Sequence, residues 1–181
     1  MKHALFFLLF LALCTACSKS DSPSELDSLI KVTMTNGDVI YASPTDNTTV
    51  QWGGIGTNLT ALPDIGTTAA ANMDFNGETN TTSIVTQLGT NNGTAYAAKV
   101  CADLVAYGFS DWYLPAAGEL NEMYKKLGPV SNGGSGQITT GIYWSSSEVW
   151  ELDAWIKVFD DGAQYGGSKD YNLFQCRCVR R

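Results

Sequence analysis

The clearest periodicity lies in residues 108–128, GFSDWYLPAAGELNEMYKKLG. Leu120, Met123, Tyr124 and Leu127 fall at i, i+3, i+4 and i+7 and make one apolar stripe, which predicts a helix. Pro115 suits its first turn, where a missing N–H costs nothing. Glu119 and Glu122 sit early and Lys125 and Lys126 late, as the helix dipole favours. Gly128-Pro129 stops it. The preceding Asp111-Trp112-Tyr113-Leu114 reads as a short link whose large side chains lie beneath this helix. Residues 94–108 predict a second helix, with Thr94 as cap, Gly108 as stop, and Ala97, Val100, Cys101 and Leu104 facing inward.

Other stretches alternate. Residues 29–42 read as strand, turn and strand around Asn36-Gly37, the preferred two-residue hairpin turn. Residues 142–147 (IYWSSS) and 154–159 (AWIKVF) are strands, and Asp160-Asp161-Gly162 turns the chain after the second. Residues 174–180 close the chain as one strand, with Phe174, Cys176 and Cys178 on one face. Between these blocks, residues 45–94 show little periodicity and many Gly, Asn and Thr. They read as a long irregular region pinned by Val50, Trp52, Ile55, Ile84, Val85 and Leu88. Such long loops are usually functional or poorly ordered.

The N-terminus follows a different pattern. The apolar run 4–13 has signal-peptide length and is too short to span a bilayer. Cys14-Thr15-Ala16-Cys17 resembles a bacterial lipobox, with Cys14 where Leu is usual, and makes Cys17 the expected lipidated residue. Residues 1–16 are then a lipoprotein signal peptide, 17–29 a polar tether, and 30–181 one domain. The expected place is the cell envelope, anchored by lipid, at the outer membrane and facing outward.

Composition narrows the chemistry. Charged residues make up 16% of the 181-residue chain and glycines number 18, which suits a loop-rich, strand-containing globule. A formal charge of −7 with no basic stripe argues against nucleic acid as a partner. The single histidine, His3, lies in the expected signal peptide. Without it there is no Ser-His-Asp or Cys-His machinery and no histidine-ligated zinc or iron. In an oxidising compartment Cys101 is expected to pair with Cys176 or Cys178, the latter preferred. Cys176 is then a free, buried thiol.

Three segments in this order carry a family signal: DWYLPAAGELNEMY (111–124), YWSSSE (143–148) with Ala154-Trp155, and CRCVRR (176–181). With YASPTDNTTVQWGGIGT (41–57) and the helix around Cys101, they resemble the Lcl C-terminal domain family, whose fold is similar to that of C-type lectins. The resemblance covers residues 31–181. It implies an α+β domain with two helices packed on a twisted antiparallel sheet, long irregular loops, neighbouring termini and a helix-to-last-strand disulfide matching Cys101 and Cys178. Glu-Pro-Asn, Gln-Pro-Asp and Trp-Asn-Asp, the calcium-lectin motifs, do not occur, so the resemblance carries no cofactor; Ca2+ on the aspartates stays open without motif support. The chain is also similar to lipid-anchored variable proteins diversified by retroelements. That likeness implies a ligand face at 149–153, 157–164 and 165–175.

The expected function is a non-enzymatic surface module binding a carbohydrate or protein ligand. Its candidate residues are Trp150, Glu151, Asp153, Asp160, Asp161, Gln164, Tyr165, Asp170 and Tyr171, because aromatics beside hydrogen-bond acceptors suit sugars and polypeptides. A structural envelope or assembly component is the alternative. A carboxylate hydrolase would need a pair such as Glu119 or Glu122, read as solvent-facing, with Glu148.

Overall fold

The computed structural model describes residues 23–170 and 173–181. The expected signal peptide, the Cys17 acceptor, part of the tether and Tyr171 lie outside the described residues. The fold is α+β. After a helical turn, α1 (Pro23–Leu26), come β1 (Ile30–Thr33), β2 (Val39–Ala42) and β3 (Thr48–Val50). Helices α2 (Thr68–Ala71), α3 (Gly77–Leu88), α4 (Ala97–Ala102) and α5 (Ala117–Leu127) follow, then β4 (Ile142–Glu148), β5 (Asp153–Val158), β6 (Gln164–Ser168), β7 (Phe174–Cys176) and β8 (Val179–Arg180).

The single antiparallel sheet expected from the resemblance is two sheets. One has the order β1-β2-β8, so the first and last strands share it; the other has the order β3-β7-β4-β5-β6. One pairing, β4 with β7, is parallel. The closing segment 174–180 is therefore not one strand. It breaks at Arg177-Cys178, and its halves join different sheets.

Several boundaries move for identifiable reasons. The first hairpin pairs Thr33 with Val39, and Met34 N donates to Asp38 O at 2.8 Å. The loop is thus three residues, Thr35-Asn36-Gly37, with Gly37 at φ 91°, as in a type I turn with a following bulge. Helix α4 is shorter than 94–108. Its cap position is Tyr96, not Thr94, and the chain leaves the helix after Ala102 to form a tight Ala106–Phe109 bridge. Pro115 precedes the cap residue Ala116 of α5 and is not in its first turn. Helix α3, inside the region read as irregular, is missed because its inner face is Gly77, Asn80, Thr81 and Ile84. Hydrogen bonds hold that face. The Thr81 hydroxyl donates to Leu114 O at 3.2 Å and accepts from Leu114 N at 3.0 Å.

Two cores sit on either side of β4. The larger holds Trp52, Leu59, Ile84, Tyr96, Trp112, Trp144, Ile156 and the Cys101–Cys178 disulfide, with Cys176 buried as a free thiol. The second holds Val32, Ile40, Tyr113, Leu120, Met123, Tyr143 and Phe159, including the stripe of α5. Tyr113 lies among the α5 side chains, whereas Trp112 and Leu114 point into the larger core. A smaller cluster joins Ile65, Ala71, Ala117 and Trp155.

Candidate functional site

The segments that carry the family signal are structural. Strand β4 is buried from Tyr143 to Glu148, and its polar groups are mostly paired, the Ser146 hydroxyl alone having no partner among the described residues. Ser145 donates to Trp155 O at 2.8 Å, and Ser147 donates to Asp74 Oδ2 at 2.6 Å. Ser146 N donates to Pro115 O at 2.8 Å. The terminal arginines tie the chain end down. Arg177 bonds Ser43 O and Asp46, Arg180 holds Asp111 in a two-point contact and covers the Phe109 ring, and Arg181 reaches Glu119 and Phe75 O.

The three glutamates considered for hydrolysis occupy separate environments. Glu119 and Glu122 are buried, contrary to the solvent-facing reading. Glu119 accepts from Ala116 N, Tyr113 Oη and Arg181, and burial raises its carboxyl to about 7. Glu122 accepts from Thr35 and pairs with Lys125. Glu148 pairs with Lys169, and both side chains are 0% exposed. Burial pushes the Glu148 carboxyl up and the Lys169 amine down, against their mutual attraction.

That buried pair organises one end of the five-stranded sheet. Lys169 Nζ also donates to Thr57 O at 3.2 Å and lies over the Trp52 ring, and the Glu148 carboxylate accepts from Leu59 N. Lys169 O accepts from Trp52 N and Gly53 N at 2.8 and 3.1 Å. The β4–β5 turn joins the same end through Gly56 N to Glu151 O, 2.9 Å, and Lys169 N to Leu152 O, 3.0 Å. Loops 51–59, 149–153 and 168–170 therefore converge.

The eight described candidate ligand residues do not form one face. Trp150 and Leu152 are 45% and 37% exposed on the β4–β5 turn, beside exposed Glu151. The Trp150 indole N–H donates to Asp153 Oδ2, so Asp153 positions Trp150. Asp160 and Asp161 lie past the other end of β5, about 17 Å along a strand of that length. Both serve local structure there: Asp160 accepts from Gly141 N at 3.0 Å and Asp161 from Ala163 N at 2.8 Å. Tyr165, 48% exposed, lies on β6 opposite Ile156. Gln164 pairs with Lys157 across the ladder, and its buried carboxamide has no partner among the described residues. Asp170 leaves the hairpin at the convergent end and lines a groove of about 450 Å³ with residues of the 51–57 and 87–94 segments.

Those groove residues escape sequence reasoning. Their signal is the Asn-, Gln- and Thr-rich composition of a region read only as irregular. Among the described residues no group of three or more His, Cys, Asp or Glu side chains could hold a metal ion. No described helix is long and apolar enough to cross a membrane.

No family model matches the chain, and no curated protein does. The fold is similar to part of a solved structure, a fimbrial protein from Bacteroides ovatus, with a TM-score of 0.51 and 16% identity. The match covers 77% of this chain and 35% of that one, so the chain spans about a third of its neighbour's length.

Proposed function

We propose that the chain is a C-type-lectin-like, lipid-anchored domain that binds a glycan or protein ligand at the cell surface and is not an enzyme. The observation that carries this reading is Trp150, a large aromatic held out on a turn that is itself fixed. Val149 N and Trp150 N both bond Asp153 O, at 3.0 and 3.2 Å, and the indole is tied to Asp153. An exposed aromatic with little freedom left to lose is a good binding anchor. The lipobox-like segment and a fold shared with part of a fimbrial protein support a place at the surface. The DWYLP, WSSSE and CRCVRR segments support the lectin-like assignment.

A second reading, an assembly component, rests on β6. It is an edge strand with exposed Tyr165 and Gly166 and no charged side chain to discourage pairing.

The test is binding of the purified full chain to glycans, glycosaminoglycans and host matrix proteins, with calcium and with chelator. Binding that falls tenfold or so in Trp150→Ala is the expected result. No binding by a folded chain on any panel overturns the receptor reading and favours assembly.

A further inference from the structure

The groove beside Asp170 is a built feature. One wall is the 51–57 segment, held by Ala97 N to Gln51 O at 3.1 Å and by Lys169 Nζ to Thr57 O at 3.2 Å. The other is the end of α3 and the turn after it. There Gln87 Nε2 donates to Asn58 O at 3.0 Å, and the Tyr96 hydroxyl donates to Gly89 O at 2.8 Å. The walls meet at Gly54, φ 66°, where a Cβ would be strained and would lie 2.6 Å from Leu88 Cδ2, so glycine favours this approach. The walls are set before any ligand arrives, and the volume of about 450 Å³ is within the usual span of small-molecule pockets, ~300–1,000 Å³.

The lining selects a chemical class. Four carboxamides (Gln51, Gln87, Asn91 and Asn92) and three threonine hydroxyls (Thr57, Thr90 and Thr94) offer donors and acceptors side by side. Ile55 and Leu88 supply the apolar contact. Among the described residues Asp170 is the one charged side chain in the lining, and its Oδ1 is buried with no partner there. A buried carboxylate oxygen without a donor is costly, and a ligand hydroxyl relieves that cost. Among the described residues no cationic side chain lines the groove, which disfavours sulfated, phosphorylated or carboxylated ligands. One carboxylate falls short of a calcium ligand set. Vicinal hydroxyls, each both donor and acceptor, fit this lining.

We infer that the groove is a binding site for a neutral oligosaccharide. Asp170 accepts from ring hydroxyls, the carboxamides of Gln51 and Gln87 bond further hydroxyls, and Ile55 and Leu88 take a C–H face. The inference rests on the surface-binding reading and extends the ligand's footprint from the Trp150 turn into the groove, whose 51–57 wall is tied to that turn by Gly56 N to Glu151 O.

The experiment applies the purified full chain to an array of neutral and sulfated oligosaccharides, followed by calorimetry on the strongest neutral probe. Asp170→Asn, Gln87→Ala, Trp150→Ala and the control Val130→Ala are compared, with circular dichroism and melting curves to confirm folding. Neutral glycans are expected to bind. Asp170→Asn weakens them roughly tenfold or more and Gln87→Ala by about three- to tenfold, while Val130→Ala, an exposed side chain outside the groove, binds within about twofold of wild type. Binding carried only by sulfated probes overturns the inference, as does binding insensitive to both groove variants. Binding lost in Trp150→Ala alone also overturns it, yet leaves the surface-receptor reading standing. Silence on the whole array and on the protein panel removes both.

Discussion

Lys169 and Glu148 are fully buried side chains that carry opposite charges, and their ion pair holds the 57–59 backbone. Removing one partner leaves an uncompensated charge in the core. Lys169→Met is expected to cost about 3–5 kcal/mol in urea unfolding, and adding Glu148→Leu restores much of that. A double variant no more stable than the single one would show that the pair is not the source of the cost. Glu119 gives a pH signature. Its carboxyl, raised by burial to about 7 from an ordinary 4.5, binds a proton more tightly in the folded chain than in the unfolded one. Between those values the folded state holds the proton and the unfolded state does not. Stability therefore falls as pH rises from about 4.5 to about 7, by about 3 kcal/mol, and is flat above. Denaturation of Glu119→Gln across this window is expected to lack that slope. Cys176, buried and pushed up to about 12, is expected to resist iodoacetamide until the chain is unfolded.

At the scale of elements, the disulfide joins α4 to the segment entering β8 across 77 residues. Cys101→Ser is expected to lower stability by about 2–5 kcal/mol, read from urea midpoints beside the reduced wild type. This link was legible in the sequence from the placement of its cysteines, α5 and β5 from apolar side chains at regular spacing, β4 from its aromatics, and the turn from Asp160-Asp161-Gly162. Helix α3 was not, since its inner face is bound by Thr81 and by the Asn80–Asp74 contact, and tertiary hydrogen bonds leave no periodic trace. The split of 174–180 into two strands was hidden because Cys176 and Cys178 are both buried, whichever sheet each half joins. Of the candidate site, Trp150, Tyr165 and Asp170 are singled out in the sequence by residue type. Their separation was not, because distance along β5 becomes visible only when the hairpin register is known. The groove lining was missed because glutamines and asparagines in a loop look like solvated filler until walls from distant segments meet.

Across the whole molecule, β4 places Tyr143 in one core and Trp144 in the other, and buries nearly all its length. The cores are thus not independent bodies. Chain ends reinforce the coupling: β8 carries Val179 into the second core directly after Cys178 enters the first. A domain built this way is expected to unfold in one cooperative step. Methyl resonances of Ile84 and Ile156 report the larger core, and those of Ile40 and Met123 the second. All four are expected to disappear at one urea concentration. Met123→Ala, which opens a cavity in the second core only, is expected to cost about 2–5 kcal/mol and to move the transition of Ile84 and Ile156 by the same amount as that of Ile40. Two midpoints, or a shift confined to Ile40, would mean that β4 divides the molecule into separately unfolding halves. The convergent end, whose buried ion pair contacts Trp52 and Leu59 of the larger core, would then keep its groove after the second core had melted.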